Sequence, residues 1–242
     1  MSVPGALLFA RYAYPPNELG YCGPDGAAAL LRADEPAEIA RRARAFEGAW
    51  SYLEFIARAA GVPDPLDVAV VEAYWVGNEL LDDVDPRALV AWLSDRFRSQ
   101  SGGTWRAAGD RAAPHHSFQV FEVYPWAAML RRAANPVAVS VLDRCRIRTG
   151  VVLDVTGATA TVRSRPLTWD GAALRPGPAV DEVVSWSAYG RSLLDGLSPG
   201  DRVTLHWDWV CDVVTERQSR VVERLAARQY DALFAAFPPR QG

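Results

Sequence analysis

The sequence predicts an α+β protein: an all-helical domain over residues 1–135, then a small antiparallel β-barrel with a C-terminal helix over residues 145–237. Three observations predict it. Apolar residues recur at helical spacing between residues 36 and 97. From residue 146 to 214, short runs of alternating β-branched residues are split by turn residues. After Thr215 the period lengthens to that of a helix again. A chain of 242 residues fits two compact domains or one large one, and its 50% hydrophobic content allows a sizeable core.

In chain order, Leu7–Tyr14 reads as a first helix that ends before Pro15-Pro16-Asn17, because proline removes a donor and blocks continuation. A dense turn follows over Leu19–Gly26, with Asp25 placed to cap an apolar helix from Gly26 to Arg32. Glu35-Pro36 starts the next helix. Ile39, Ala43, Phe46 and Trp50 form its apolar stripe, continued by Leu53, Phe55, Ile56 and Ala60 up to a stop at Gly61. Asp64-Pro65 opens a helix carrying Val68, Val71, Trp75 and Leu80. Asp85-Pro86 opens another with Leu89, Trp92, Leu93 and Phe97 inward.

Residues 99–116 read as a loop ending in His115-His116. Ser117–Val123 reads as helix or strand, and Pro125–Ala134 as helix. Residues 136–144 make a short connection. Strands are expected at 146–155, 158–165, 183–187, 202–208 and 210–214, with turns at Val155–Ala158 and Ser198–Asp201. A last helix over about 216–236 carries Val222, Ala226, Tyr230, Leu233 and Phe237, and stops before Pro238-Pro239.

Composition excludes several functions. Net charge is −3 with a pI near 5.7, so there is no electrostatic footprint for nucleic acid. No apolar run reaches the ~20 residues of a membrane span, and no secretory leader is visible. Three cysteines do not make a disulfide framework and read as reduced cytoplasmic thiols. Every basic residue is arginine, which suits protein contacts. Phosphate loops, Cys-x-x-Cys pairs, His-Glu-x-x-His and nucleophile elbows are all missing from the sequence, which argues against nucleotide use and standard hydrolysis.

The chemistry-bearing residues are few. Cys145 is expected to open the first strand and His206 to lie near the end of a late one, where a small closed barrel brings them together. Arg144, Arg146 and Arg148 surround the thiol and are expected to favour a thiolate. The alternatives are a buried, inert cysteine and a hydrogen-bonded barrel histidine. His115 and His116 are a second candidate metal pair. On extended backbone they point to opposite faces, so one of the two would bind an ion, with Cys22, Glu122 or Asp82 as further ligands. The alternative for the pair is a capping role before Phe118. Cys22, in a turn near a helix start, is a third candidate. Cys211 alternates along a strand as a core residue, and Glu79, Asp82, Asp83 and Asp85 read as a solvated helix end.

Cys145-x-x-x-x-Gly150-Val151-Val152 followed by Pro199-Gly200-Asp201-x-Val203-x-x-His206 resembles the HypC/HupF family of [NiFe]-hydrogenase assembly chaperones. The resemblance implies a HypC/OB-like barrel with a C-terminal helix. It also implies a role for Cys145 and His206 in holding an iron fragment with CO and cyanide ligands. The partners it implies are a HypD-like protein and the hydrogenase large-subunit precursor. A thiolate and an imidazole suit low-spin iron. The chain departs from that family in three ways. Its cysteine is internal, with no free α-amine beside it. Thr149 stands where proline is usual. A Pro/Gly-rich insertion covers about 165–181. Residues 1–35 also resemble the start of an uncharacterised family often encoded beside hydrogenase genes. The expected function is a non-enzymatic, cytoplasmic accessory role in hydrogenase maturation. The alternatives are an adaptor without metal chemistry and a metal-dependent enzyme using His115 or His116.

Overall fold

The computed structural model describes residues 4–96, 105–132 and 135–235. Phe97, the loop at 99–103, Phe237 and the stop at Pro238-Pro239 lie outside these residues. Helices come first: α1 (Gly5–Glu18), α2 (Pro36–Ala43), α3 (Glu47–Ala59), α4 (Val68–Trp75), α5 (Pro86–Arg96), α6 (His116–Phe118), α7 (Trp126–Arg132) and α8 (Pro136–Cys145). Strands follow: β1 (Arg148–Thr156), β2 (Thr159–Ser164), β3 (Leu167–Trp169), β4 (Leu174–Pro176), β5 (Val180–Ser185), β6 (Arg202–His206) and β7 (Trp209–Val213). The helix α9 (Glu216–Ala235) comes last. The architecture is mixed helix and sheet with a C-terminal helix, and no helix among the described residues is long and apolar enough to cross a membrane.

Helix starts follow local chemistry. Proline occupies the first position of α2, α5 and α8, where its missing N–H has no intrahelical partner anyway. Asp85 Oδ1 accepts from Arg87 N–H, Asp67 Oδ1 from Ala69 N–H, and Asn135 Oδ1 from Val137 and Ala138 N–H. Three expectations are corrected. The stripe from Ile39 to Ala60 belongs to two helices, α2 and α3, parted at residues 44–46. Asp25 caps nothing; Gly26, at φ 84°, leads instead into a 3-10 turn over Ala27–Leu31. Helix α1 continues through Pro15 and Pro16 rather than ending before them. Both prolines fall in its last turn, and their carbonyls still accept from Leu19 and Tyr21 N–H at 3.2 and 2.8 Å.

The five main strands pair in the order β1-β2-β5-β7-β6, and β6 returns to β1, so the sheet closes on itself. Four of the five pairings are antiparallel. The fifth, between β5 and β7, is parallel and rests on Ser185 opposite Trp209, so the sheet is not purely antiparallel as expected. Strands β3 and β4 form a separate hairpin inside the Pro/Gly-rich insertion, where no strand was expected. Gly200, at φ 94°, makes the turn before β6.

Packing ignores the division between residues 135 and 145. The largest apolar cluster joins Phe9, Tyr12, Leu53, Val71 and Trp75 of the helices to Ile147, Trp209 and Cys211 of the strand region and Val222 of α9. A second cluster sets Val120, Phe121 and Leu142 against Trp207 and Tyr230. A third, of Val152, Val162, Val184, Val203, Leu205 and Val210, fills the closed sheet. Cys211 is a buried core residue, as its alternation suggested.

Candidate metal centre

Three distant stretches of chain meet at one point. The donor atoms of His116, Cys145 and His206 all lie within 4.8 Å of one another. The three come from α6, the last residue of α8 and the last residue of β6. Cys145 therefore ends a helix; it does not open the first strand.

The end of α8 explains the meeting. The last carbonyls of a helix have no partner inside it. Arg144 O accepts from Trp207 N–H at 2.7 Å, which fixes the turn after β6 to the helix end. Cys145 O accepts from His116 Nε2–H at 2.8 Å. Trp207 itself sits at φ 54°, in the two-residue turn that joins His206 to its cross-strand partner Trp209. Such tight hairpins need a left-handed residue, and a bulky one there is uncommon. Its carbonyl is held by Arg148 at 2.8 Å.

His206 is oriented from the opposite side. Its Nδ1–H donates to Tyr12 O at 2.7 Å. That carbonyl is available because its intrahelical donor would be the N–H of residue 16, and residue 16 is proline. The tautomer is then fixed: Nδ1 carries the proton, and Nε2 presents a lone pair that is buried without a hydrogen-bond partner. A carbonyl holding one ring nitrogen while the other stays free is the usual setting of a metal-binding histidine.

His116 is held through Nε2–H by Cys145 O, which leaves its Nδ1 with a lone pair, 3.2 Å from Tyr74 Oη. The Tyr74 hydroxyl proton goes to Gln119 Oε1, and Gln119 Nε2 donates to Tyr124 Oη at 2.9 Å. Gln119 opens a π-helical turn, Gln119–Val123, a distortion that collects at functional sites. The Trp75 ring lies beside both imidazoles, with centroids 4.6 Å from His116 and 5.7 Å from His206. A cavity of about 550 Å³ opens onto the three donors. Tyr21, Cys22, Phe46, Tyr124 and Trp207 help line it.

The remaining candidates separate. His115 and His116 part, because His115 is extended and caps the helix that His116 begins. His115 Nδ1 accepts from Ser117 N–H at 3.1 Å and caps α6, outside the donor cluster. Cys22 lines the cavity but is not in the cluster either. Asn17 Nδ2 holds its carbonyl at 2.8 Å, and Tyr21 stacks on Trp207 at 4.2 Å. Asp82 is exposed on a helix end with Glu79, Asp83 and Asp85. Glu122 is buried and pairs with Arg111 at 3.4 Å.

Electrostatics differ from expectation. The three arginines around Cys145 are engaged elsewhere: Arg144 with Asp208, Arg146 with Asp143, and Arg148 with Glu182. None of these three is left unpaired to favour a thiolate. Burial, then the neighbouring Cys22, pushes the Cys145 thiol above its ordinary value, so the unliganded residue is a thiol. Burial likewise keeps the imidazoles neutral. It lowers His115 to about 3, with His116 adding to the effect. It lowers His116 to about 4, against a raising contribution from Cys145 O. His206 also falls well below its ordinary value, first through burial and then through His116.

A pH dependence follows. These folded values lie below the 6.5 of a free imidazole. As pH falls through about 6.5 the unfolded chain binds protons that the folded chain refuses, so stability is lost between about pH 6.5 and 4. For His116 alone the difference amounts to about 3 kcal/mol at ~1.4 kcal/mol per pH unit. Urea midpoints measured from pH 7.5 to 4.5 are expected to drop steeply below 6.5, and His116→Gln is expected to flatten that drop.

The donors fit a metal. One thiolate and two imidazoles suit zinc, copper, iron or nickel rather than calcium or magnesium. The unpaired Nε2 of His206 is a buried lone pair that an ion would satisfy. Three protein ligands also leave at least one coordination position open. The C-terminal end of α8 adds a partial negative charge that favours a cation.

Sequence reasoning missed Tyr74, Trp75 and Gln119 as parts of this site. One signal was available: Gln119 is a polar residue inside the apolar run Phe118–Val123. A family model described as "Family of unknown function (DUF6390)" matches residues 1–237. No curated protein and no solved structure matches the chain.

Proposed function

The chain belongs to this family, and from the geometry of its site we propose that it holds a transition-metal cargo at His116, Cys145 and His206 and hands it to a partner protein. One observation carries the proposal. Three donors from separate elements converge on a cavity wall, and one of them, His206, is held by a backbone carbonyl at Nδ1 and keeps Nε2 without a partner. Cys145 loses its proton on loading, because the thiolate is the ligand. His116 joins by exchanging either Cys145 O or Tyr74. The open coordination positions carry whatever ligands the cargo brings, and the cavity gives a partner access to them.

In this reading the cargo is an iron fragment bearing CO and cyanide. The closed sheet with α9 corresponds to the barrel of the HypC/HupF chaperones. The partner is a HypD-like protein or the hydrogenase large-subunit precursor, met in the cytoplasm. Two facts support it. Two of the three donors, Cys145 and His206, are the positions that the resemblance marks. The third, His116, supplies a nitrogen donor beside an internal cysteine, where that family has a chain N-terminus.

The test is metal analysis and infrared spectroscopy of protein purified without oxygen from its native host. About one iron per chain with CO and cyanide bands is the expected result. A bound metal without those bands would retain the site but remove hydrogenase assembly. Metal-free protein that still captures a maturation partner would leave an adaptor.

A further inference from the structure

A second cavity, of about 950 Å³, lies between α9 and the wall formed by β1, β2 and the start of β6. Its lining is at odds with the rest of the chain. The whole protein carries 29 acidic and 26 basic residues, yet seven of the side chains around this cleft are arginines and Glu223 is its one carboxylate. Thr149 Oγ1 donates to that carboxylate.

The arginines fall into two groups. Arg146, Arg163 and Arg220 are paired with Asp143, Asp181 and Glu216, and Arg165 donates to Gly177 O at 2.9 Å. Arg202, Arg217 and Arg224 are exposed and have no ion-pair or hydrogen-bond partner among the described residues. Arg217, Arg220 and Arg224 are spaced i, i+3, i+7, so they share one face of α9. The row is about 10 Å long at 1.5 Å per residue. The lining also carries apolar groups, among them Val151, Val221, Ala226 and Tyr230.

We infer that this cleft binds an acidic segment of a partner protein in extended form. Guanidinium groups pair with carboxylates through two parallel hydrogen bonds. An extended chain advances about 3.3 Å per residue, so four or five residues cover the row. Alternate side chains of an extended chain point to opposite faces, so every second residue, acidic, faces the arginines of α9 while the aliphatic residues between them face Val151, Pro176 and Ala179 on the other wall, which a phosphate backbone does not offer. The net charge of −3 opposes a long polyanion but leaves the local field of the cleft intact. The cleft and the metal cavity lie on either side of one short segment: Cys145 lines one and Arg146 the other. A partner docked here is held next to the donors.

The probe is a fluorescein-labelled decapeptide of alternating glutamate and leucine, read by anisotropy against the full chain. Binding is expected to weaken about tenfold or more in the double variant Arg217→Glu, Arg224→Glu. It is expected to be unchanged in Arg87→Glu, an exposed arginine on α5, and to weaken as salt rises from about 50 to 300 mM. Both replaced side chains are exposed, and circular dichroism checks that the fold is kept. Metal content of the double variant is expected to equal that of the unmodified protein, which separates this cleft from the metal site. Equal peptide affinity across all three proteins overturns the inference. So does displacement of the peptide by inorganic phosphate or by a ten-nucleotide single strand at equal charge concentration.

Discussion

Replacing Cys145 by alanine is expected to remove stoichiometric metal binding while leaving the protein folded. The thiolate is the softest of the three donors and the only anionic one. Two neutral imidazoles remain, and one of them, His116, is already held by a carbonyl. Loss of a group that merely orients a ligand costs 10–100-fold in affinity, so loss of a ligand is expected to cost at least about a hundredfold. Cys145 donates no side-chain hydrogen bond and keeps 9% of its surface, so the stability change stays near 1 kcal/mol by its small buried area. Equilibrium dialysis with zinc or ferrous ion under anaerobic conditions reads the affinity. Cys211→Ala, a buried thiol outside the donor cluster whose sulfur meets the backbones of His206 and Trp209, is the comparison expected to keep all three ligands and hence to keep binding. If Cys145→Ala bound metal as tightly as the unmodified chain, the His116–Cys145–His206 assignment would be wrong.

The second large effect is expected at Trp75. Its ring touches Phe9, Tyr12 and Tyr74 as well as both imidazoles, and it is 3% exposed at the middle of the largest apolar cluster. Trp75→Ala leaves a cavity beside the donors and is expected to cost about 3–5 kcal/mol in urea unfolding. The freed space also lets the two rings turn away from each other, so metal affinity is expected to fall by about tenfold or more in whatever protein remains folded. Trp75→Phe keeps most of the contact surface and is expected to recover most of both quantities. An alanine variant with unchanged affinity would show that the indole only fills space.

Local chemistry made part of this molecule legible. Asp85-Pro86 announces a helix start because a short side chain and a proline act within three residues of themselves; Asn135-Pro136, read only as a break before a short connection, starts α8 by the same chemistry. The alternation of Val203, Leu205 and Val210 announces strands for the same reason. The encounter of Cys145 with His206 was also expected, from their places in a small closed barrel, although Cys145 reaches it from the end of a helix and not from the start of a strand.

What failed was whatever depends on a partner far away in sequence. Pro15-Pro16 reads as a stop because a local rule sees only the lost N–H; the carbonyl that it frees at Tyr12 is taken by a histidine 194 residues later. The charges of Arg144, Arg146 and Arg148 read as a field around the thiol. Asp208, Asp143 and Glu182 claim them instead, and only Asp143 is a close sequence neighbour. His116 was grouped with His115 because adjacency is visible in a sequence. Its two ring partners, Tyr74 and Cys145 O, lie 42 and 29 residues away.

The fourfold arrangement of Tyr12, His116, Cys145 and His206 sets an order on events during synthesis. A nascent chain exposes the thiol well before the second imidazole, and until residue 206 has left the ribosome there is neither a complete set of donors nor a turn to seat them. On the proposed function, capture of cargo waits for the last of the three ligands, and a chain that ends before residue 206 lacks one of them.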